Sequence, residues 1–311
     1  MIYTDMHCDT LTECSRKGFS LRKNRLQADF ARLKAAGCAA QCFAIFTKDS
    51  SVAEFFGYAD FFMREVSINS DICAPVLAFS DFEKARAAGK LGCILTAENL
   101  SFLSCAEDVE KLHSAGVRMA SLVWNDENAL AYPNLKFCGA KPDFSAREAR
   151  GLKPLGEEIA HRLDECGIIT DVSHLSDGGL ADLLRSRKKP LVASHSNAFS
   201  LCGVSRDLTD MQIKRIADCG GVIGVNFCLD FLGGESAFVS SLRHISHLIS
   251  VGGEDCAAFG SDFDGMPEQS GMEDCTRMTE LCNVLYDMFG GRVAEKIASG
   301  NFLRVFKEVC G

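Results

Sequence analysis

The sequence predicts an α/β fold of the (β/α)₈ barrel type, a TIM barrel, as one domain over residues 1–311 with helices at its C-terminal end. Eight short apolar segments have the character of buried strands, and nearly all are followed by a segment with helical spacing of apolar residues. This alternation is typical of a parallel barrel. A doubly wound nucleotide-binding sheet is the alternative, but no Gly-x-Gly-x-x-Gly sequence opens a helix after the early strands.

The first half of the chain begins with an apolar segment that ends just before His7. A helix over Leu26–Ala36 stops at Gly37, because glycine readily ends helices, and the apolar run after it is the next strand. The elements that follow are predicted as strand Cys38–Phe46, helix Ser51–Asn69, a short extended piece Pro75–Ala78, helix Ser80–Ala88, strand Gly92–Ala97, helix Ala106–Ala115 and strand Val117–Trp124.

In the second half of the chain, several apolar strands run directly into a histidine or an aspartate. The loop Asn125–Arg150 precedes them and is long for a connection in such a fold, so we expect it to wall a pocket. The predicted elements are helix Pro154–Cys166, strand Ile168–Val172, helix Asp177–Arg187, strand Pro190–Ser194, helix Thr209–Cys219, strand Val222–Val225, helix Glu235–Val251, strand Cys256–Ser261 and a helical segment Asp274–Val309.

Charge and composition exclude several classes of partner. The 33 basic and 42 acidic residues give a net charge of −9 without a basic stripe, so nucleic acid is not an expected partner. No basic-then-apolar leader and no apolar run of membrane length occur, which predicts a cytoplasmic protein without a membrane partner. In that compartment the 16 cysteines are expected to be reduced, and most lie in apolar runs as small buried side chains.

Chemistry-bearing residues recur at the predicted strand ends. His7 and Asp9 are two residues apart, so an extended backbone projects both from the same face, and an imidazole with a carboxylate suits Zn²⁺ or a similar cation. Each residue alone has a structural explanation, such as a helix cap, a turn or a hydrogen-bonded core histidine. Because the C-terminal strand ends of a barrel share one mouth, we expect six side chains to meet there. They are His7, Asp9, Glu98, His174, His195 and Asp262.

Three histidines and three carboxylates are enough for two metal ions that share a bridging group. The other four histidines are predicted to lie on helices, in structural or exposed positions: His113, His161, His244 and His247.

Seven segments, spread in order from Asp5 to Phe306, resemble the motifs of the renal (membrane) dipeptidase family, the M19 metallopeptidases. Without leader or anchor, the chain is most similar to bacterial cytoplasmic members. The segments are Asp5–Asp9, Gly151–Gly156, Asp171–Ser176, Ser194–Ala198, Ser205–Leu208, Gly260–Gly265 and Asn301–Phe306.

The resemblance implies a binuclear zinc dipeptidase on an amidohydrolase-type barrel, acting on small dipeptides that include those with a C-terminal D-residue. It implies that His7 and Asp9 hold one Zn²⁺, that His174 and His195 hold the other, and that Glu98 bridges them. Asp262 matches the family's proton-handling aspartate at the metals, and Arg206 matches the residue that grips the substrate carboxylate. A homodimer is suggested by the resemblance alone.

One departure from the family pattern concerns the polarisation of the substrate carbonyl. Trp124 stands where mammalian members have a histidine for this task, and an indole offers only one N–H and no charge. The oxyanion is then expected to be held by a metal or by Asn125.

Two alternatives stay open: an amidohydrolase acting on a non-peptide amide, ester or lactone, and a non-catalytic metal-binding barrel. Arg206 distinguishes a dipeptidase from the first alternative, because a substrate without a carboxylate would leave this residue without a role.

Overall fold

A closed barrel of eight parallel strands forms the centre of the protein. The structure is a computed structural model that describes residues 1–48, 51–134, 150–187 and 189–311. The strands follow one another round the ring in chain order, and the pairing of β2 with β4 closes it. A ninth strand, β3, lies outside the ring against the start of β4. The bounds are β1 Tyr3–Asp5, β2 Cys38–Phe46, β3 Cys73–Pro75, β4 Leu91–Glu98, β5 Val117–Ser121, β6 Ile169–Asp171, β7 Val192–Ala193, β8 Val222–Val225 and β9 Ala257–Phe259. The predicted fold class is confirmed.

Helices surround the barrel, and in the described ranges none is long and apolar enough to cross a membrane. A few begin at a side-chain cap, as where Ser51 and Glu54 cap each other's backbone N–H groups. The bounds are α1 Thr10–Lys17, α2 Phe30–Ala35, α3 Val52–Ile68, α4 Phe79–Ala87, α5 Asp108–Ser114, α6 Pro154–Cys166, α7 Asp177–Ser186, α8 Phe199–Cys202, α9 Asp210–Asp218, α10 Leu229–Leu232, α11 Ala237–Gly252, α12 Met278–Phe289, α13 Gly291–Glu295 and α14 Asn301–Cys310. A 3₁₀ turn at Cys275–Arg277 precedes α12, and a π-helical turn at Lys296–Gly300 precedes α14.

Several predicted boundaries were wrong. Strand β5 ends at Ser121 rather than at Trp124, although Leu122 and Val123 remain buried, so burial continues past the last ladder hydrogen bond. Helix α2 begins at Phe30, not Leu26, because the Asp29 side chain accepts the N–H of Arg32 and caps the helix there. Helix α1, which follows the first strand directly, was not predicted.

The C-terminal helix closes the bottom of the barrel. Phe302 and Phe306 of α14 pack against a buried cluster to which most of the ring strands contribute a side chain, such as Ile94 of β4 and Ile169 of β6. Because apolar packing fills this end, the opposite end, where the strands finish, is the open one.

Glycine is required where β8 and the segment after β9 lie against the backbone that follows β7. A Cβ on Gly260, just after β9, would lie 1.7 Å from the carbonyl oxygen of Ser194, and a Cβ on Gly224 would lie 2.2 Å from the same oxygen. Backbone atoms cannot rotate away as a side chain can. These two glycines therefore set the spacing between the strands that carry His195 and Asp262.

Substitution of Gly260 tests this constraint. Gly260→Ala should lower the free energy of unfolding by about 3 kcal/mol or more, since the new methyl group overlaps a backbone carbonyl. Gly57→Ala is the matched control, because Gly57 lies in α3 with no atom within 4 Å of its Cβ position. That variant should gain roughly 0.5–1 kcal/mol from helix propensity. Urea unfolding of both variants measures the difference, and equal effects would contradict the assignment.

Candidate metal centre

The six candidate ligands converge at the open end of the barrel. Glu98 is the last residue of β4, and the others follow β1, β6, β7 and β9 within four residues. Two of them, His174 and Asp262, have left-handed backbones with φ of 67° and 63°. A residue other than glycine adopts this conformation at a cost, and such residues are typical of functional sites.

Glu98 lies between two sets of ligands. One carboxylate oxygen, Oε2, is 3.6 Å from Nε2 of His7, which is 3.3 Å from Oδ2 of Asp9. The other, Oε1, is 3.0 Å from Nε2 of His174 and 3.7 Å from Nε2 of His195. Asp262 Oδ1 is 3.7 Å from the His7 nitrogen. The arrangement offers one cation position on each side of Glu98, and groups of three side chains have donor atoms within 4.8 Å of one another.

The donor atoms fit metal ions better than they fit one another. Nε2 of His7 and Oδ1 of Asp9 are buried without a hydrogen-bond partner. Nε2 of His174 is 3.1 Å from Nε2 of His195, while the Nδ1 atoms of the two rings pair elsewhere, with Asn125 and Ser194. A cation would satisfy these atoms together, since imidazole nitrogen and carboxylate oxygen are the ordinary ligands of zinc and related ions.

Burial and crowding shift the pKa values of the acidic groups strongly. Burial, reinforced by the charges of Asp9 and Asp262, raises the pKa of Glu98 to about 8. Burial and the charge of Asp9 raise the pKa of Asp262 to about 6, against the opposing effect of His7. Ionisation of these neighbouring carboxylates is therefore unfavourable in the protein alone, and a positive charge between them would stabilise their ionised forms.

The same surroundings shift the pKa values of the histidines in opposite directions. Burial alone would lower the pKa of His7, but its close approach to Asp9 and the charges of Glu98 and Asp262 raise it to about 10. Burial lowers the pKa of His174 and His195 well below the ordinary value. These two rings are thus neutral, the form that binds a metal.

Supporting residues that sequence reasoning missed surround the ligands. Asn226, just after β8, donates from Nδ2 to Oδ2 of Asp262 at 2.9 Å. Gly265 makes room for two ligands, because a Cβ there would lie 2.2 Å from Oδ2 of Asp9 and 2.3 Å from Oδ1 of Asp262. Its place in the Gly-Ser-Asp-Phe-Asp-Gly segment was the available signal. Asn226 carried none, since an asparagine after a strand is common in loops.

A cavity of about 250 Å³ opens above the ligands. It is smaller than the pockets of roughly 300–1,000 Å³ that hold drug-sized ligands, so its size suits a smaller molecule. Trp124 and Asn125 line it, as does Phe46, whose ring lies 4.9 Å from that of Trp124. Of the loop predicted to wall the pocket, Asn125 lines the cavity, while residues 135–149 lie outside the described residues.

Arg206 lies behind the metal centre rather than on the cavity wall. Its buried guanidinium donates to Oγ of Ser196 at 3.0 Å and to the carbonyl oxygen of His195 at 2.8 Å, and it lies over the ring of Phe231, which does line the cavity. Burial lowers the pKa of Arg206, while the charges of Asp262 and Glu98 oppose that shift. The predicted direct grip on a substrate carboxylate is therefore not visible in the geometry.

The remaining histidines take no part in the described ligand groups. His244 is a buried structural residue whose Nδ1 accepts the N–H of Ala198 and whose Nε2 donates to the carbonyl of Leu232, both at 3.0 Å. His247 pairs with Asp210, and His161 is largely exposed near Glu165. Cys8 points away from the ligands, with Sγ 3.4 Å from the carbonyl of Cys42.

Comparison with known proteins identifies the family. The profile of the membrane dipeptidases, peptidase family M19, matches residues 1–310. The chain belongs to this family. The resemblance seen in the motifs is thus confirmed, and the protein is an enzyme of the hydrolase class in a family of metallopeptidases.

Individual relatives agree with this assignment. An uncharacterized protein of Klebsiella pneumoniae, from the 5′ region of pqqA, is 34% identical over 245 residues, 75% of this chain and 88% of that protein. An uncharacterized dipeptidase of Schizosaccharomyces pombe is 32% identical over 228 residues. The match covers 71% of this chain and 53% of that protein. A Rhodobacter sphaeroides metallopeptidase, solved with a phosphinate mimic of L-Ala-D-Ala, shares the fold with a TM-score of 0.87, 22% identity and 99% coverage of both chains.

His244 gives a prediction for stability against pH. Burial lowers its pKa to about 4 from the ordinary 6.5, so its contribution is complete above pH 6.5 and is lost as the pH falls toward 4. The loss should be on the order of 3 kcal/mol. In urea unfolding of metal-free protein, the advantage of the wild type over His244→Gln should shrink across that window. An advantage that does not change with pH would contradict the prediction.

Proposed function

We propose that the protein is a binuclear zinc dipeptidase that hydrolyses small dipeptides, including those with a C-terminal D-residue. The position of Glu98 between two histidine-containing ligand sets is the observation that carries the proposal. The cavity of about 250 Å³ above it supports a small substrate. The L-Ala-D-Ala mimic bound by the Rhodobacter relative supports the choice of peptide. A cytoplasmic location and a homodimer are part of the proposal on family resemblance alone.

His7 and Asp9 would hold one zinc ion and His174 and His195 the other, with Glu98 shared between them and Asp262 adjacent to the first. Two such ions supply an activated water at neutral pH and polarise the scissile carbonyl. The two ligand sets on opposite sides of Glu98, His7 with Asp9 and His174 with His195, support a pair of cations over one.

Asp262 is the proposed proton carrier. It lines the cavity, and the amide of Asn226 fixes its Oδ2 atom. A carboxylate held in one orientation can accept the proton of the attacking water and return it to the leaving amine.

Asn125 is the proposed partner of the substrate carbonyl. Its Oδ1 pairs with Nδ1 of His174 at 2.9 Å, which leaves the Nδ2 hydrogens free to donate toward the cavity that Asn125 lines. Trp124 beside it provides an apolar wall with Phe46. The amide therefore takes the place of the charged histidine found in mammalian members.

Arg206 is proposed to favour a substrate carboxylate through its charge. Its guanidinium is engaged by Ser196 and by the backbone of His195, and it lies over the ring of Phe231, which lines the cavity. A positive charge at this depth is poorly screened, so it attracts an anionic group over several ångströms. An amidohydrolase acting on a neutral lactone would have no use for it.

Zinc binding tests the metal part of the proposal. Metal-free protein should take up two equivalents of Zn²⁺ in a calorimetric titration, while His195→Ala should lose the site of His174 and His195. The control is His161→Gln, which changes an exposed helix residue and should still bind two. One equivalent in the wild type, or two in His195→Ala, would contradict the ligand assignment.

Peptide hydrolysis tests the reaction. Zinc-loaded enzyme should hydrolyse L-Ala-L-Ala and L-Ala-D-Ala and should lose activity on chelation. Asp262→Asn should lower kcat by roughly 10²–10⁴-fold, because a general acid–base is removed. Retention of bound zinc in the variant separates loss of proton transfer from loss of metal. Turnover of lactones or acylated amino acids without any dipeptide turnover would instead support the amidohydrolase alternative.

A further inference from the structure

Two buried aspartate–serine pairs with the same geometry lie beneath the ligands. Asp171 at the end of β6 accepts the N–H of Ser194 at 2.9 Å through Oδ1 and its hydroxyl at 2.5 Å through Oδ2. Asp5 at the end of β1 accepts the N–H of Ser261 at 2.8 Å and its hydroxyl at 2.6 Å in the same way. Each serine directly precedes a candidate ligand, His195 or Asp262.

The two pairs differ in what the serine oxygen touches next. Oγ of Ser194 is 2.7 Å from Nδ1 of the His195 ring. Oγ of Ser261 is instead 3.0 Å from the carbonyl oxygen of His7 and accepts the N–H of Phe263 at 3.2 Å, so it meets no imidazole nitrogen. The second pair is therefore a natural internal control for the first.

The first pair determines where the proton of His195 lies. A serine hydroxyl has one hydrogen to donate. Ser194 donates it to Oδ2 of Asp171 at 2.5 Å, because a carboxylate oxygen is a hydrogen-bond acceptor. The oxygen of Ser194 can then only accept from the ring, which places the hydrogen of His195 on Nδ1. Nε2 is left with its lone pair directed toward Oε1 of Glu98 and Nε2 of His174.

We propose that Asp171 and Ser194 are positioning residues that hold His195 in the Nδ1–H tautomer, ready to bind a metal through Nε2. The inference rests on the proposed function for the identity of that metal, but the tautomer itself is a property of the protein alone. All three side chains are buried, so water does not compete for the Nδ1 hydrogen bond. The partner behind a histidine ligand fixes its tautomer and its orientation in metal sites generally.

Asp171→Asn is the decisive substitution because it is isosteric and reverses the direction of the hydrogen bonds that link residue 171, Ser194 and His195. Its carbonyl oxygen still accepts the two backbone N–H groups of Ser173 and Ser194. Its new N–H₂ group donates to Ser194, whose hydroxyl then donates to Nδ1 of His195. The ring proton should move to Nε2, the atom needed for the metal.

The measurement is ¹⁵N NMR of metal-free protein labelled at histidine, with His195 assigned from the signal missing in His195→Gln. The wild type and Ser261→Ala should show a protonated Nδ1 and an unprotonated Nε2. Asp171→Asn should show the reverse, and Ser194→Ala should lose the preference. A wild-type ring protonated at Nε2, or a tautomer unchanged in Asp171→Asn, would overturn the proposal.

Zinc affinity gives a second readout that does not depend on activity. Asp171→Asn and Ser194→Ala should weaken the site of His174 and His195 by roughly 10–100-fold, whereas Ser261→Ala should leave that site unchanged. Equal weakening by Ser194→Ala and Ser261→Ala would reduce both pairs to a structural role. A correct tautomer in a protein that hydrolyses no dipeptide would reject the proposed function and leave this inference standing.

Discussion

The structure depends most on the burial of Glu98 between imidazoles and other carboxylates. In water such a group would be solvated, but here its two oxygens face His7 on one side and His174 on the other at 3.6 and 3.0 Å. Burial raises the pKa of Glu98 and opposes its charge, so the protein gains little by assembling the site for its own stability. Such an arrangement fits the metal dependence that the metallopeptidase family implies, and the features around it hold it in place.

The barrel provides this support by bringing distant segments to one edge. Parallel strands finish at a single mouth, and Phe302 and Phe306 fill the other end. Close strand approach at Gly260 and Gly224 brings the ligands that follow β7 and β9 together. The left-handed backbone of Asp262 is held by its neighbours: its own N–H donates to the carbonyl of His7. Stability of the scaffold thus maintains strained ligands that local propensity would not favour.

The sequence predicted which side chains converge at the barrel mouth but not the residues that support them, for a physical reason. Apolar strands that end in His or Asp are visible without a structure, because strand ends are marked by the change in polarity. Trp124 was placed on a strand because Leu122 and Val123 look like its continuation, and only pairing shows that the ladder stops at Ser121. Asp5 and Asp171 were identified only as members of the family motifs, and no supporting role was predicted for them. Each follows threonine in an apolar strand, and a buried carboxylate needs partners that no sequence spacing reveals.

In the proposed mechanism, the exchange of a histidine for Trp124 and Asn125 redistributes the work of stabilising the oxyanion. An amide can donate a hydrogen bond to that oxygen, but it cannot neutralise charge as an imidazolium can. Because the Asn125 oxygen is held by His174, the donor is already oriented before substrate arrives. The charge itself must then be balanced by the cations at the metal centre, so the activity of this enzyme should depend more strongly on how firmly those ions are held. On this proposal, the buried supports of His174 and His195 contribute to catalysis and not to the scaffold alone.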